Sequence, residues 1–505
     1  MAAIEKLKQD VREGRIDPAQ LIDLLADVQQ LLKAAQQQLQ VAQQRIAELE
    51  KQVGGTATTK VAEAFSLRAE EQRQEKRGKK KRRPKSRKQR GRLTTADKIA
   101  RAERTDKVFP EGVPAGDGRL SHVRPVWRLE HGRAVLLAYE VYRGPHNHYG
   151  KIAGSLGRSE FGLEIIVAIA HLVYVVGLSF DKVCLVFDFF QKLRLSKAQA
   201  DALLRQLAWH WEQEFETLCT LLANAAVVHA DETGWRLPNV WAFVSEKTRV
   251  LLFGVPKDAA TLQAILDPAT FNGIVISDDA AVYANFTAAQ KCWAPLLRKA
   301  SKLTVQEPDN AAYRACTDRL LEIYGTACRS QSDGRLGDAG RAQKVVGLEE
   351  DIYALCGPLW LANLPKLEGL ADDYRLLTNE VIRLMLAKQL FPFVTAKPVT
   401  QPNGETRPVA GTNNEAERTL RTVAEARKTE RTSKTLVGAR RQTILTSVLE
   451  SLRVYLPEFT LRSVVAESGR WWQAGRSCFA DLLAQLKRAP PDASTLERVF
   501  PSSSG

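Results

Sequence analysis

The stretch AAVVHADET (225–233) is an apolar run that stops at two adjacent carboxylates. It is rich in valine and lacks glycine and proline, which predicts a buried strand whose polar end reaches an edge of the core. Downstream, VWAFVSE (240–246) and RVLLFGV (249–255) read as two further strands, and DAATLQAIL (258–266) has helical spacing. GIVISDD (273–279) is another buried strand ending in acids, and KCWAPLLRKASKL (291–303) reads as a strand leading into a helix. Three strands, a helix, and a strand that returns beside the first is the order of an α/β RNase H-like core.

In such a sheet Asp231 and Asp278 emerge side by side from one edge. Two like charges that close are unfavourable unless a cation lies between them, and hard oxygen ligands select Mg²⁺ or Mn²⁺. Glu417, on the helix opening NNEAERTLR, is the third carboxylate chosen for the catalytic, metal-binding set. Two such ions can activate an attacking hydroxyl and stabilise the leaving oxygen of a phosphodiester. Each acid has a rival reading. Glu232 competes with Asp231. Asp278 and Asp279 alternate in direction, so only one faces the ion. Asn414 and Glu417 match an N-cap and its N3 partner. Arg421 follows Glu417 by one helical turn, and Arg418, Arg427 and Lys428 add positive charge suited to a DNA backbone.

Working outward, residues 399–456 carry the second part of this core with the glutamate helix, 223–304 the first, and 305–398 read as a helical insertion. Residues 120–222 read as a helical region. Within it, SFDKVCLVFDFF (179–190) and SKAQADALLRQLAWHW (196–211) form a helix-turn-helix-like pair suited either to DNA reading or to plain packing. Residues 1–55 hold a heptad seam, with Leu25, Leu32, Leu39, Ile46 and Val53 seven apart, which predicts a coiled coil and a homo-oligomer. Residues 56–119 form a basic arm whose run KRGKKKRRPKSRKQRGR (76–92) includes Lys79, Lys80, Lys81, Arg82 and Arg83, expected to contact DNA phosphates. Residues 457–505 read as a helical tail that frays after Pro490.

The chain of 505 residues carries a net charge of +15, which favours a polyanionic partner. Its seven cysteines are odd in number and never spaced as CxxC, against a disulfide framework or a cysteine zinc site and in favour of a reducing compartment. The start MAAIEKLKQD lacks an apolar signal core, and GLEIIVAIAHLVYVVGL (162–178) contains Glu164 and His171, so it reads as a buried helix rather than a membrane span. A soluble, cytoplasmic, nucleoid-associated protein without membrane contact is the expectation.

HADETGWRL (229–237), SDDAAVY (277–283), KCWA (291–294) and TNNEAERTLRTVAEARK (412–428) together resemble the DDE transposases (TnpC type) of the insertion sequence 66 family. The resemblance spans roughly residues 150–455. By position it implies that Asp231, Asp278 and Glu417 are the catalytic triad holding Mg²⁺ or Mn²⁺. It also implies cleavage at transposon ends followed by strand transfer into target DNA, with accessory transposition proteins as further partners. Asn413, Asn414, Arg418 and Arg421 become supporting residues. Pro295 stands where the family has histidine, Asp279 where it has glycine, and no cysteine precedes Cys184 where relatives carry a zinc-binding segment. A non-catalytic dimeric DNA binder and a simple metal-dependent nuclease are the alternatives.

Overall fold

The computed structural model describes Lys33, Gln37 and residues 93–500, except 115–116, 146–147, 236, 403, 429–432 and 489–494. The chain divides into two units, Met1–Arg92 and Leu93–Gly505. The heptad seam and Lys79 to Arg83 therefore lie outside the described residues, apart from Lys33 and Gln37, both helical.

The second unit opens with a short helix α1 (Thr95–Ala100) and a three-stranded sheet of β1 (Arg104–Val108), β2 (Arg119–Glu130) and β3 (Arg133–Arg143). This corrects the expectation that 120–222 is helical throughout. Glu130 pairs with Arg133, leaving His131 and Gly132 as a two-residue loop with φ of 49° and 75°. Positive φ at both positions matches the right-handed twist of a hairpin. The His-Gly turn, flanked by branched and aromatic residues, was the signal missed. Beyond Gly162 the chain is helical as expected: α2 (Leu163–Tyr174), α3 (Phe180–Gln191), α4 (Lys197–His210) and α5 (Glu212–Ala223). Ser196 and Gln199 form a reciprocal cap of α4. This helix buries Leu203, Leu204 and Leu207, with Lys197 and Arg205 exposed and ion-paired to Asp181 and Asp201.

The central sheet comprises β4 (Val227–Gly234), β5 (Asn239–Val244), β6 (Arg249–Val255), β7 (Ile274–Ser277) and β8 (Ala289–Lys291), with α6 (Ala259–Gln263) between β6 and β7. The strand order is β6-β5-β4-β7-β8, antiparallel from β6 to β4 and parallel from β4 to β8. The fourth strand of the sheet thus returns beside the first, as its sequence order predicted. Helix α7 (Trp293–Gln306) follows the sheet, as the reading of 291–303 expected, and α8 (Ala311–Ser332), α9 (Asp338–Leu361), α10 (Gly369–Leu386) and α11 (Pro392–Thr395) occupy 305–398, packing with α7 in a core around Leu320, Ile352, Cys356 and Val381. The polar loop after it contains a small hairpin, β9 (Val399–Thr400) with β10 (Thr406–Arg407).

Helix α12 (Asn414–Lys428) packs over β4 and β5, and α13 (Leu436–Tyr455) lies along the edge strand β6. Edge strands expose N–H groups that need partners. Here Arg249, Leu251 and Phe253 donate their N–H groups to Ser451 Oγ, Ser447 Oγ and Thr443 Oγ1 at 2.9, 2.9 and 3.0 Å. Four residues of helix rise about 6 Å and two residues of strand about 6.6 Å, so hydroxyls spaced four apart meet amides spaced two apart. After α14 (Leu461–Ala474) and α15 (Cys478–Gln485), α16 (Thr495–Val499) docks instead of fraying. Buried Glu216 accepts from the N–H groups of Thr495 and Leu496 at 3.1 and 2.8 Å, and Leu496 is buried.

A carboxylate cluster at the edge of the central sheet

Successive side chains of a strand face opposite sides. Along β4, Val228, Ala230 and Glu232 face one side, and Val227, His229 and Asp231 the other, toward α12. Val228 and Ala230 join the large core, while Val227 joins the core of the insertion helices. Asp278 follows the last residue of β7, the parallel neighbour of β4. Glu417 lies in the first turn of α12.

Electrostatics report how near these acids stand. The carboxyl of Asp231 is pushed up to about 7, first by burial, then by the charges of Glu232, Asp278 and Glu417, against one bond from the Glu232 N–H at 3.0 Å. The charges of a strand-end acid and a helix acid, both distant in sequence, therefore reach Asp231 in space. Their side chains do not converge on a point: among the described residues, no three His, Cys, Asp or Glu side chains are arranged to hold one metal ion.

The rival readings separate clearly. Asp279 is ion-paired with Arg383 of α10 in the insertion, whereas Asp278 Oδ1 accepts from the Ala280 N–H at 3.0 Å and its charge reaches Asp231. Glu232 is buried on the other face. It pairs with Lys257 and accepts from the Tyr283 hydroxyl at 2.7 Å. The Glu417 N–H donates to Asn413 O at 3.1 Å, so Asn413, not Asn414, precedes the helix. Glu417 then stands one place too far along for the predicted N-cap and N3 pairing.

Asn413 is 2% exposed and ties the helix start to the strand: its Nδ2 donates to Ala230 O at 2.8 Å, next to Asp231. Its N–H donates to Cys292 Sγ at 3.1 Å, and the N–H of Trp293 donates to Gly411 O at 3.1 Å. The motifs around 229, 292 and 413 are thereby stitched together. Buried Lys291 donates from Nζ to Asp278 O at 2.8 Å and Ser277 Oγ at 3.3 Å, holding the turn that carries Asp278. Burial lowers the ammonium's affinity for its proton, and the Asp279 and Asp278 charges work in the opposite direction. Burial also drives the His229 imidazole down to about 4, so it is uncharged at neutral pH.

Of the predicted basic contacts, Arg421 and Lys428 are exposed on α12. Arg418 is exposed but paired with Glu415 at 3.1 Å. Arg427 Nη1 donates to Gly234 O at 2.8 Å, a bond that fastens the end of α12 to the end of β4. Lys257, Tyr283 and Lys291 were not singled out individually by sequence reasoning. Only their placement inside or beside the quoted motifs hinted at them.

The family model described as Transposase IS66 family matches residues 158–362. That segment is similar to the IS66 transposases. It runs from just before α2 to the end of α9 and contains Asp231, Glu232, Asp278 and Lys291, while Glu417 lies beyond it. No curated protein sequence matches the chain. No helix among the described residues is long and apolar enough to cross a membrane.

Proposed function

We propose that this chain is a DNA transposase of the DDE type, with an RNase H-like core, that cleaves transposon ends and joins the freed 3′-hydroxyl to target DNA. The observation that carries the reading is the placement of Asp231 and Asp278 at the end of the paired stretch of neighbouring parallel strands of a β6-β5-β4-β7-β8 sheet, with the charges of Asp278 and Glu417 both reaching Asp231. The IS66 family segment supports it.

An all-oxygen donor set fits a hard divalent cation. A carboxyl raised to about 7 by its neighbours' charge is a site where such a cation relieves repulsion. Asp231, Asp278 and Glu417 would hold Mg²⁺ or Mn²⁺ after rotation of their side chains. Bound there, the ion supplies Lewis-acid activation of the attacking oxygen and charge stabilisation of the leaving oxygen. The chain's own residues do the positioning. Asn413 fixes the start of the glutamate helix against β4, and Lys291 fixes the turn carrying Asp278. Arg421 and Lys428 project from the same helix and meet the DNA backbone. The basic run at 76–92 adds sequence-independent affinity, and the heptad seam brings two copies, hence two DNA ends, together.

The test is strand cleavage and joining on duplexes carrying the gene's own flanking DNA, with Mg²⁺ or Mn²⁺. Wild type yields cut and joined products, while Asp231→Asn and Glu417→Gln lose both by a factor of at least about 10³, a loss typical of removing a central electrostatic stabiliser. The separated side chains favour one second reading, a non-catalytic DNA binder. It predicts binding without cleavage in wild type and variants alike.

A further inference from the structure

Glu232 is held away from the triad, and its partners form a second device at the same sheet edge. Its side chain is 4% exposed and has two partners: the ammonium of Lys257, and the hydroxyl of Tyr283 at 2.7 Å. Tyr283 is fully buried. Lys257, by contrast, is 45% exposed. The charges of Asp278 and Asp231, as well as that of Glu232, act on its ammonium. Lys257 follows β6, and Pro256 O accepts from Trp241 Nε1 at 2.9 Å, which fastens the loop over β5. The lysine thus arises beside a fastened backbone turn, its ammonium held by the buried carboxylate that follows Asp231 in the chain and its side chain partly open to solvent.

A salt bridge built only for stability would be better served by two groups sharing the same environment. For a buried acid paired with a half-exposed lysine, the cost of desolvating the acid offsets much of the Coulombic gain. The pairing is a good way to hold an ammonium, which has three donors, with two of them directed outward. Beside carboxylates that repel a polyanion, such a cation compensates where the phosphate must come closest.

We infer that Lys257, aimed by the Glu232–Tyr283 pair, is a substrate-binding residue that contacts a non-bridging oxygen of the DNA phosphate entering the Asp231–Asp278–Glu417 cluster. The inference rests on the proposed function for the identity of the substrate. It assigns Glu232 and Tyr283 as positioning residues that touch the lysine and not the DNA.

The test measures metal-free binding of the full chain to fluorescein-labelled duplex made from the gene's flanking DNA, across a series of salt concentrations, alongside cleavage kinetics with Mn²⁺. Each phosphate contact contributes about one to the slope of log affinity against log salt. Lys257→Met lowers the slope by about one and raises KM more than it lowers kcat, and Lys257→Arg keeps both near wild type. Because Lys257→Met strands the Glu232 charge and risks the fold, the double variant Lys257→Met/Glu232→Gln is the deciding protein. If it keeps the reduced slope and raised KM, Lys257 meets DNA. If removing the Glu232 charge restores wild-type slope and KM, the lysine serves only to neutralise Glu232, and the inference is overturned. Because binding is read without metal, a chain that binds but never cleaves sinks the transposase reading and leaves this one standing.

Discussion

Asp231 is placed where burial and like charge both oppose its ionisation. Its carboxyl in the folded chain is raised to about 7, first by desolvation and then by Glu232, Asp278 and Glu417, against 3.8 for the free group. The sign follows directly. Below about pH 4 folded and unfolded forms are both protonated, and the group contributes no pH-dependent difference. As pH rises toward 7 the unfolded chain ionises more readily, so stability is lost through that window. The loss is on the order of a few kcal/mol at most. Asp231→Asn removes it. Thermal melts without metal should show the variant equal to wild type near about pH 4 and more stable near about pH 8, the span of that window. Adding Mg²⁺ at the higher pH should raise the wild-type midpoint far more than the variant's. A variant that melts earlier at both pH values would show that Asp231 is tied down as a structural carboxylate.

Among the elements, α13 carries helical apolar spacing in TILTSVLESLRVYL (443–456), but that spacing does not disclose the use of its polar stripe. Thr443, Ser447 and Ser451 look like a solvated face in sequence and are fully buried against the edge of β6. Only the pairing of a helix with an edge strand explains them. Ser447→Ala would leave the buried Leu251 N–H without its 2.9 Å acceptor. The expected cost is about 1–3 kcal/mol, readable by urea denaturation. Ser447→Thr should recover most of it, and a neutral alanine variant would mean that the strand edge finds another partner. Similarly, α12 was expected from the opening NNEAERTLR, whereas Asn413, one residue before it, ties it to β4 through Ala230 O.

At the scale of the molecule, positive charge is unevenly spread. The net +15 owes much to the run at 76–92, which lies in the first unit, while residues 93–505 form a compact unit of their own. Removing residues 1–92 should leave the far-UV circular dichroism per residue of the remainder and its melting cooperative. It should also flatten the salt dependence of DNA binding by several phosphate contacts. An unchanged slope would place the dominant phosphate contacts in the second unit, on α12 and around the sheet edge. The same truncation should abolish self-association if the heptad seam supplies it, a point for sedimentation velocity.

By itself the sequence determined the strands of the central sheet, their order and the helices that follow them, because apolar runs and their polar ends are local signals. It misread 119–143, where two positive-φ residues at His131 and Gly132 turn a hairpin that hydrophobic spacing alone did not announce. It also left Glu232, Asp278 and Asp279 open to rival roles. Tertiary contacts give each its own partners: Arg383 pairs with Asp279, Lys257 and Tyr283 hold Glu232, and the charge of Asp278 reaches Asp231. Such choices depend on partners many residues away and on which face of a strand meets which helix, so no local pattern could encode them.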